Sequence, residues 1–334
     1  MQLLLLAGGL IAAKFHAPAN APYKVVKTVQ LKGAGGIDAA FADNNGERLY
    51  VPDENSTHVF DLNTHKYIAT MTNLGGHGVA VDPQSHHGFV SSHPIGMFDT
   101  QTLHKVKTIA VSGRPDGILF EPLTRRIYVF SDQAPSITVI DPKDGTVVGT
   151  ITVGGNMEQS QSDGQGRLYV VVEDEKKVAV VDVKAMKALT KYDLGEKAGK
   201  PAGLALDGKN HILFAMCHEP NVCVVLHAET GKILDVLPIG SGTDHAVFNP
   251  ATQEAFSSQR DGTLTIIKEN SPTHFEVTQN LATRLECQTC SLDAKDNEIV
   301  LICTESAAGQ TASAPRRGNG QNAPGNLDVL FVGR

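Results

Sequence analysis

Along most of the chain, short stretches in which apolar and polar positions alternate with period two are separated by clusters of Gly, Pro, Asn and Asp. That period puts successive side chains on opposite faces of a strand, and the intervening residues are those that reverse the chain in hairpins. Residues 117–121, 126–130, 137–141 and 147–153 form one group of four such stretches, joined through Glu121-Pro122 and through Pro142-Lys143-Asp144-Gly145. The group recurs. An aromatic residue or leucine followed by apolar residues stands at Tyr50, Phe89, Tyr128, Tyr169, Phe214, Phe256 and Leu301, at spacings of 39, 39, 41, 45, 42 and 45.

A lone four-stranded sheet cannot cover both of its faces, whereas in a ring of seven each sheet packs between two neighbours. The pattern therefore predicts an all-β chain, a seven-bladed β-propeller of four-stranded antiparallel blades. The last repeat has strands at 287–292, 299–303 and 327–332 and is one strand short. Residues 24–31 precede the first repeat with no partner there, and they are predicted to complete blade seven and so close the ring. Residues 23–334 then form one domain, with a flexible loop at 306–326 inserted in blade seven. That loop is rich in Gly, Ala, Pro, Asn and Gln and carries Arg316-Arg317, a composition that predicts a lid or an anion-recruiting arm.

Three segments carry a more specific likeness. Arg167-Leu168-Tyr169-Val170-Val171, Val178-Ala179-Val180-Val181-Asp182 and Gly199-Lys200-Pro201-Ala202-Gly203-Leu204 resemble the YVTN-type, or YncE-like, seven-bladed propeller repeat family. The likeness extends over nearly all of the chain after residue 23, although the Tyr-Val-x-Asn pattern is degenerate and blades two, five and six begin with Phe. It implies an exported or surface-associated protein and no single chemistry.

The ends and the cysteines bear on location. Residues 3–13 are apolar, too few to span a bilayer as a helix, and the small-x-small patterns Ala17-Pro18-Ala19 and Ala19-Asn20-Ala21 follow. Residues 1–22 are read as a signal or targeting segment, despite lacking a positive charge ahead of the apolar run, and the protein as periplasmic or secreted. No integral membrane association is expected once that segment is removed. An oxidising compartment permits disulfides among Cys217, Cys223, Cys287, Cys290 and Cys303. A Cys217–Cys223 bridge across a hairpin is expected, with Cys287 reaching Cys290 or Cys303; the Cys-x-x-Cys at 287–290 also admits redox, zinc or buried apolar roles.

Composition narrows the chemistry. The 29 Lys and Arg against 36 Asp and Glu leave a net charge of -7, which repels phosphate backbones and favours metals or cationic ligands over nucleic acid. There is no Gly-x-Ser-x-Gly elbow, phosphate-binding loop, dinucleotide fingerprint or Cys-x-x-Cys-His haem site. In a propeller the entry to each inner strand and the loop after each second strand open on one face. Counting back five positions from the residue that ends each inner strand gives Asp38, His77, Asp116, Glu158, Ala202, Asp244 and Gln288, with His245 adjoining. Counting four beyond each repeat-marking residue gives Glu54, His93, Asp132, Glu173, His218, Arg260 and Glu305.

Imidazole and carboxylate together suit a divalent metal, so His77, His93, His218, His245 and Glu158 are the candidate ligands, for zinc first and for manganese, iron or calcium as alternatives. Glu158 and His245 are candidate acid-base groups and Arg260 a candidate oxyanion donor. The expected function is metal-assisted hydrolysis of a small ester, lactone or phosphoester by a monomer. The alternatives are a metal-dependent lyase at the same site, and a noncatalytic propeller that binds a protein or a cell-envelope glycan through its loop face. The remaining histidines, among them His58, His65, His86 and His211, are read as surface or packing residues, and Asp61, Asp99, Asp141 and Asp182 as turn caps.

Overall fold

The computed structural model describes residues 21–33, 36–133, 136–305 and 326–334. Residues 1–20, which make up most of the expected targeting segment, and the expected loop at 306–326, apart from Asn326, lie outside the described residues. Within the described residues are 28 strands in seven sheets of four. Six blades use consecutive strands, starting from inner strands Phe41–Asp43, Val79–Asp82, Arg114–Glu121, Met157–Ser162, Lys200–Asp207 and Thr243–Asn249. The seventh runs outward from Thr289–Asp293 through Glu298–Glu305 and Asn326–Gly333 and is completed by Lys24–Lys32 from the other end of the chain. The chain is a seven-bladed β-propeller closed as its repeat pattern predicts.

The residues that mark the repeat are also its core. Tyr50, Phe89, Tyr128, Phe214, Phe256 and Leu301 are fully buried and Tyr169 nearly so. Each apolar cluster bridges neighbouring blades: at the closing seam Leu49, Val51 and Phe60 of blade one pack on Val300, Ile302, Val329 and Phe331 of blade seven. Sheet-on-sheet burial of this kind holds the ring together, with no helix among the described residues. No helix among the described residues is long and apolar enough to cross a membrane.

Turn chemistry repeats as well. Glu47, His86, Arg125, His211, Gln253 and Asn297 each precede a second strand with φ between 52° and 58°, the left-handed step that closes a three- to five-residue hairpin. His86 and His211 are thus turn residues, whereas His65 stacks on Phe331 at 3.9 Å and pairs with Glu298 at 3.0 Å. The side chains of Asp61, Asp99, Asp141 and Asp182 accept hydrogen bonds from main-chain N–H groups two or three residues on, as expected of caps.

The cysteine pairing differs in part from expectation. Cys287 is bonded to Cys303, while Cys217, Cys223 and Cys290 are buried thiols. Cys217 lies opposite Val222 and Cys223 opposite Met216, so the hairpin register sends the two thiols to opposite faces of blade five. Cys217 packs against blade four and Cys223 against blade six, and they cannot meet.

On the face away from the inner-strand entries, two buried carboxyl groups meet between blades five and six. Asp207 and Glu269 are 1% and 4% exposed, and Asp207 Oδ2 and Glu269 Oε2 have no hydrogen-bond donor among the described residues. Burial pushes the Glu269 carboxyl up to about 7; the Asn210 amide opposes this at 2.7 Å, the Asp207 charge reinforces it, and Lys268 opposes it weakly. A raised carboxyl favours the folded state fully below its unfolded value, and that contribution fades as pH climbs through 7. Glu269→Gln keeps a donor facing Asp207 at every pH. Its unfolding free energy in denaturant is expected to exceed that of the parent above pH 7 by on the order of 2 kcal/mol, with the difference vanishing near pH 5; equal pH profiles for the two proteins would exclude this account.

Candidate metal site at the channel mouth

A cavity of about 630 Å³ follows the ring axis. Asp38, His77, Asp116, Glu158, Asp244 and His245 surround one end of it, and Asp43, Asn44 and Asn45 the other. Asp38 and His77 stand on the segments that lead into their inner strands, whereas Asp116, Glu158, Asp244 and His245 belong to the strands themselves. Main-chain hydrogen bonds fix these segments. The His77 carbonyl accepts from Ala39 N–H at 2.9 Å, and His77 N–H donates to the Ser91 carbonyl at 3.0 Å. Ser258 Oγ donates to the Gln288 carbonyl at 2.7 Å and more weakly to that of His245, tying blades six and seven together beside the opening.

The tightest grouping is Asp38, His77 and Asp116, whose ligand-capable atoms all lie within 4.8 Å of one another. His77 Nδ1 is 2.8 Å from Asp38 Oδ2 and 3.6 Å from Asp116 Oδ1. The hydrogen bond to Asp38 raises the His77 pKa above the usual imidazole value against the opposing pull of burial, and the charge of Asp116 adds to it. Burial works to raise Asp38, but the His77 hydrogen bond and the nearby imidazoles hold it below the ordinary carboxylate value.

Glu158 behaves in the opposite way. Burial, then the charges of Asp116, Asp244, Glu173 and Asp38, push its carboxyl up to about 9, because a further negative charge in this ring has too little water to screen it. His245 Nδ1 is a buried atom with no hydrogen-bond partner among the described residues, and its nearest acid is Asp244 at 3.9 Å. The mouth is therefore a carboxylate-rich ring whose acids favour the protonated forms of His77 and Glu158. A divalent cation can replace those protons using the same oxygen and nitrogen atoms, which is the donor set that zinc and manganese accept.

Of the ligands chosen from sequence, the structure brings His77, Glu158 and His245 to this opening and does not bring His93 or His218. His93 is exposed beside Pro94. His218 pairs with Glu173 at 3.5 Å, outside the cavity wall. Arg260 also stands away from the cavity, its main chain held by the Gly242 carbonyl and by Glu286 N–H. The reason is geometric. Loops after the second strand sit one strand spacing, about 4.8 Å, farther from the axis than the inner-strand entries, so their side chains form an outer rim.

One residue at the channel had no signal in the sequence. Gln159 crosses from blade four to accept hydrogen bonds from Leu204 N–H and Ala246 N–H, both at 2.8 Å, and to donate to the Ala246 carbonyl at 2.8 Å. The close approach of blades five and six that this needs depends on Gly203, where a Cβ would come within 3.1 Å of the His245 carbonyl carbon. Blade five, with Ala202 and Gly203, thus gives the ring no ionisable group and leaves its place to a neighbour's amide.

No protein-family model matches the chain, and no curated protein matches it. Among solved structures it is similar to a chain of the crystal structure of a mitotic checkpoint complex, at 13% identity over 99% of both chains with a TM-score of 0.73. It is likewise similar to the structure of U3-55K, at 10% identity over 94% of this chain and 99% of that one, TM-score 0.72. What they share is the fold.

Proposed function

We propose that the chain is a YVTN-type, YncE-like propeller of the periplasm or cell exterior, and that its channel mouth is a divalent-metal site for hydrolysis of a small ester, lactone or phosphoester. The observation that carries this reading is the Asp38, His77 and Asp116 grouping at the opening of an axial cavity. The Cys287–Cys303 bridge supports the location, because such bonds persist where thiols are not kept reduced.

A divalent cation supplies Lewis acidity, polarising a carbonyl or phosphoryl oxygen and making bound water more acidic. The protein's own groups do the rest. Asp38, His77 and Asp116 hold the cation, with Glu158 joining once it has lost its proton. His245, which lines the same cavity beside the grouping, is the candidate base for a water there.

The test is metal analysis of protein purified without added ions, together with an ester, lactone and phosphoester screen. Near-stoichiometric zinc, manganese, iron or calcium is expected, lost in His77→Ala and Asp38→Asn, with hydrolysis falling at least a hundredfold in both. Metal-free protein whose melting temperature and hydrolysis are indifferent to chelator and to added cations would discard the metal site and favour a noncatalytic scaffold.

A further inference from the structure

Beyond the charged ring the cavity changes character. Phe41, Ile118, Phe120, Leu206, Val247 and Leu292 line it, and each keeps part of its surface uncovered, unlike the fully buried residues that mark the repeats. These side chains pack against the inter-blade clusters, and the apolar surface they leave to the channel is wetted by water at a cost and covered by an apolar ligand with a gain. On blade four, where polar residues line the same space, the amides are already engaged. Those of Gln159 bond the main chain at Leu204 and Ala246, and Gln161 Nε2 donates to the Leu204 carbonyl at 2.8 Å. Both atoms of the Gln159 amide and the Gln161 Nε2 are thus held by the main chain of blades five and six.

We propose that this bore receives an unbranched alkyl or acyl chain, so that the substrate is an ester or lactone with a medium-length apolar tail. Its polar head lies at the Asp38, His77 and Asp116 grouping, and this placement of the head rests on the hydrolase reading given above; the tail site does not. From Asp116 to Phe120 the inner strand of blade three, bulged between Pro115 and Ile118, advances about three ladder steps, about 10 Å at 3.3 Å per step, which accommodates an extended octyl or octanoyl chain. The axial cavity of about 630 Å³ has the size of small-molecule sites in general. A tail of this kind also gives selectivity that the charged mouth alone cannot supply, since carboxylates and imidazoles do not distinguish a short ester from a long one.

The two parts are tested separately. Primary alkanols from butanol to octanol, which are neutral and make no demand on a metal, are titrated calorimetrically into metal-stripped full-length protein. Affinity is expected to rise about fourfold for each added methylene, the gain for burying one such group, and Phe120→Gln is expected to weaken octanol binding about tenfold. p-Nitrophenyl esters from acetyl to octanoyl are then assayed on metal-loaded protein, with kcat/KM expected to rise along the series. Tighter octanol binding without cleavage of any ester supports the apolar bore and removes the hydrolase reading. Octanol binding no tighter than butanol by the unmodified protein overturns the bore, and ester cleavage indifferent to chain length would then leave the hydrolase reading standing without it.

Discussion

Deletion of residues 1–32 is expected to destroy the cooperative folding of the ring, at a cost of at least about 5 kcal/mol, the scale of a whole domain's stability. The strand Lys24–Lys32 is itself largely exposed, so its importance does not come from its own burial. It pairs from Lys24 opposite Gly333 to Lys32 opposite Asn326, and without it the almost wholly buried strand Asn326–Gly333 becomes an open edge.

Tyr23, just ahead of that strand, is the second part of the clasp. It is 4% exposed, packs edge-on against Phe256 at 5.2 Å and lies under the Arg334 guanidinium at 4.4 Å. Its hydroxyl donates to Glu254 at 2.6 Å, and the Gln279 side chain bonds both its N–H and its carbonyl at 2.9 Å. Blade six therefore grips a residue that belongs in sequence to the start of the chain. Tyr23→Ala is expected to cost about 3 kcal/mol, in the range for loss of a large aromatic from a core, and Tyr23→Phe about 1 kcal/mol for the lost hydrogen bond. Thermal and denaturant unfolding read all three variants. A deletion that melts with the full chain would mean that the ring is held by its blade interfaces alone.

Metal affinity is expected to depend steeply on pH through Glu158. With its carboxyl pushed up to about 9, the metal-free protein carries a proton there at neutrality, and a cation that engages the carboxylate must displace it. One displaced proton makes affinity rise about tenfold per pH unit up to that value, and calorimetry in buffers of different ionisation enthalpy should count its release. His77, raised by Asp38, steepens the dependence at lower pH.

Stability follows the same groups with the opposite sign. A carboxyl raised in the folded state stabilises it below the unfolded value and loses that contribution as pH rises through 9, so the metal-free protein should soften between about pH 5 and 9. Bound metal should abolish the softening, and Glu158→Gln should reduce both the softening and the pH dependence of affinity. Equal metal affinity at pH 6 and pH 9 would remove Glu158 from the site.

The charged row that makes this behaviour could be found by counting, because Asp38, His77, Asp116, Glu158 and Asp244 occupy one position of a repeated unit. A repeat converts a position in sequence into a position around an axis, whatever the neighbouring blades contain. The same counting applied to the loops after the second strands gave residues of suitable chemistry, His93, His218 and Arg260, at the wrong radius. Ionisable character recurs in both rows, and distance from the axis is not written in either.

Strand number, the seven-fold repetition, the buried aromatic or leucine that marks each blade and closure by the first strand were all determined by the sequence, because apolar alternation and turn residues act over a few positions. Which carboxylates share one volume of low polarity, that Cys217 and Cys223 point apart while Cys287 meets Cys303, and that Gln159 spans two blades beside Gly203 were decided only by the tertiary structure. Those outcomes depend on hairpin register and on how closely neighbouring sheets approach. Register is fixed by which face of each hairpin is buried and approach by side-chain packing between neighbouring blades, and local pattern records neither the facing partner nor its distance.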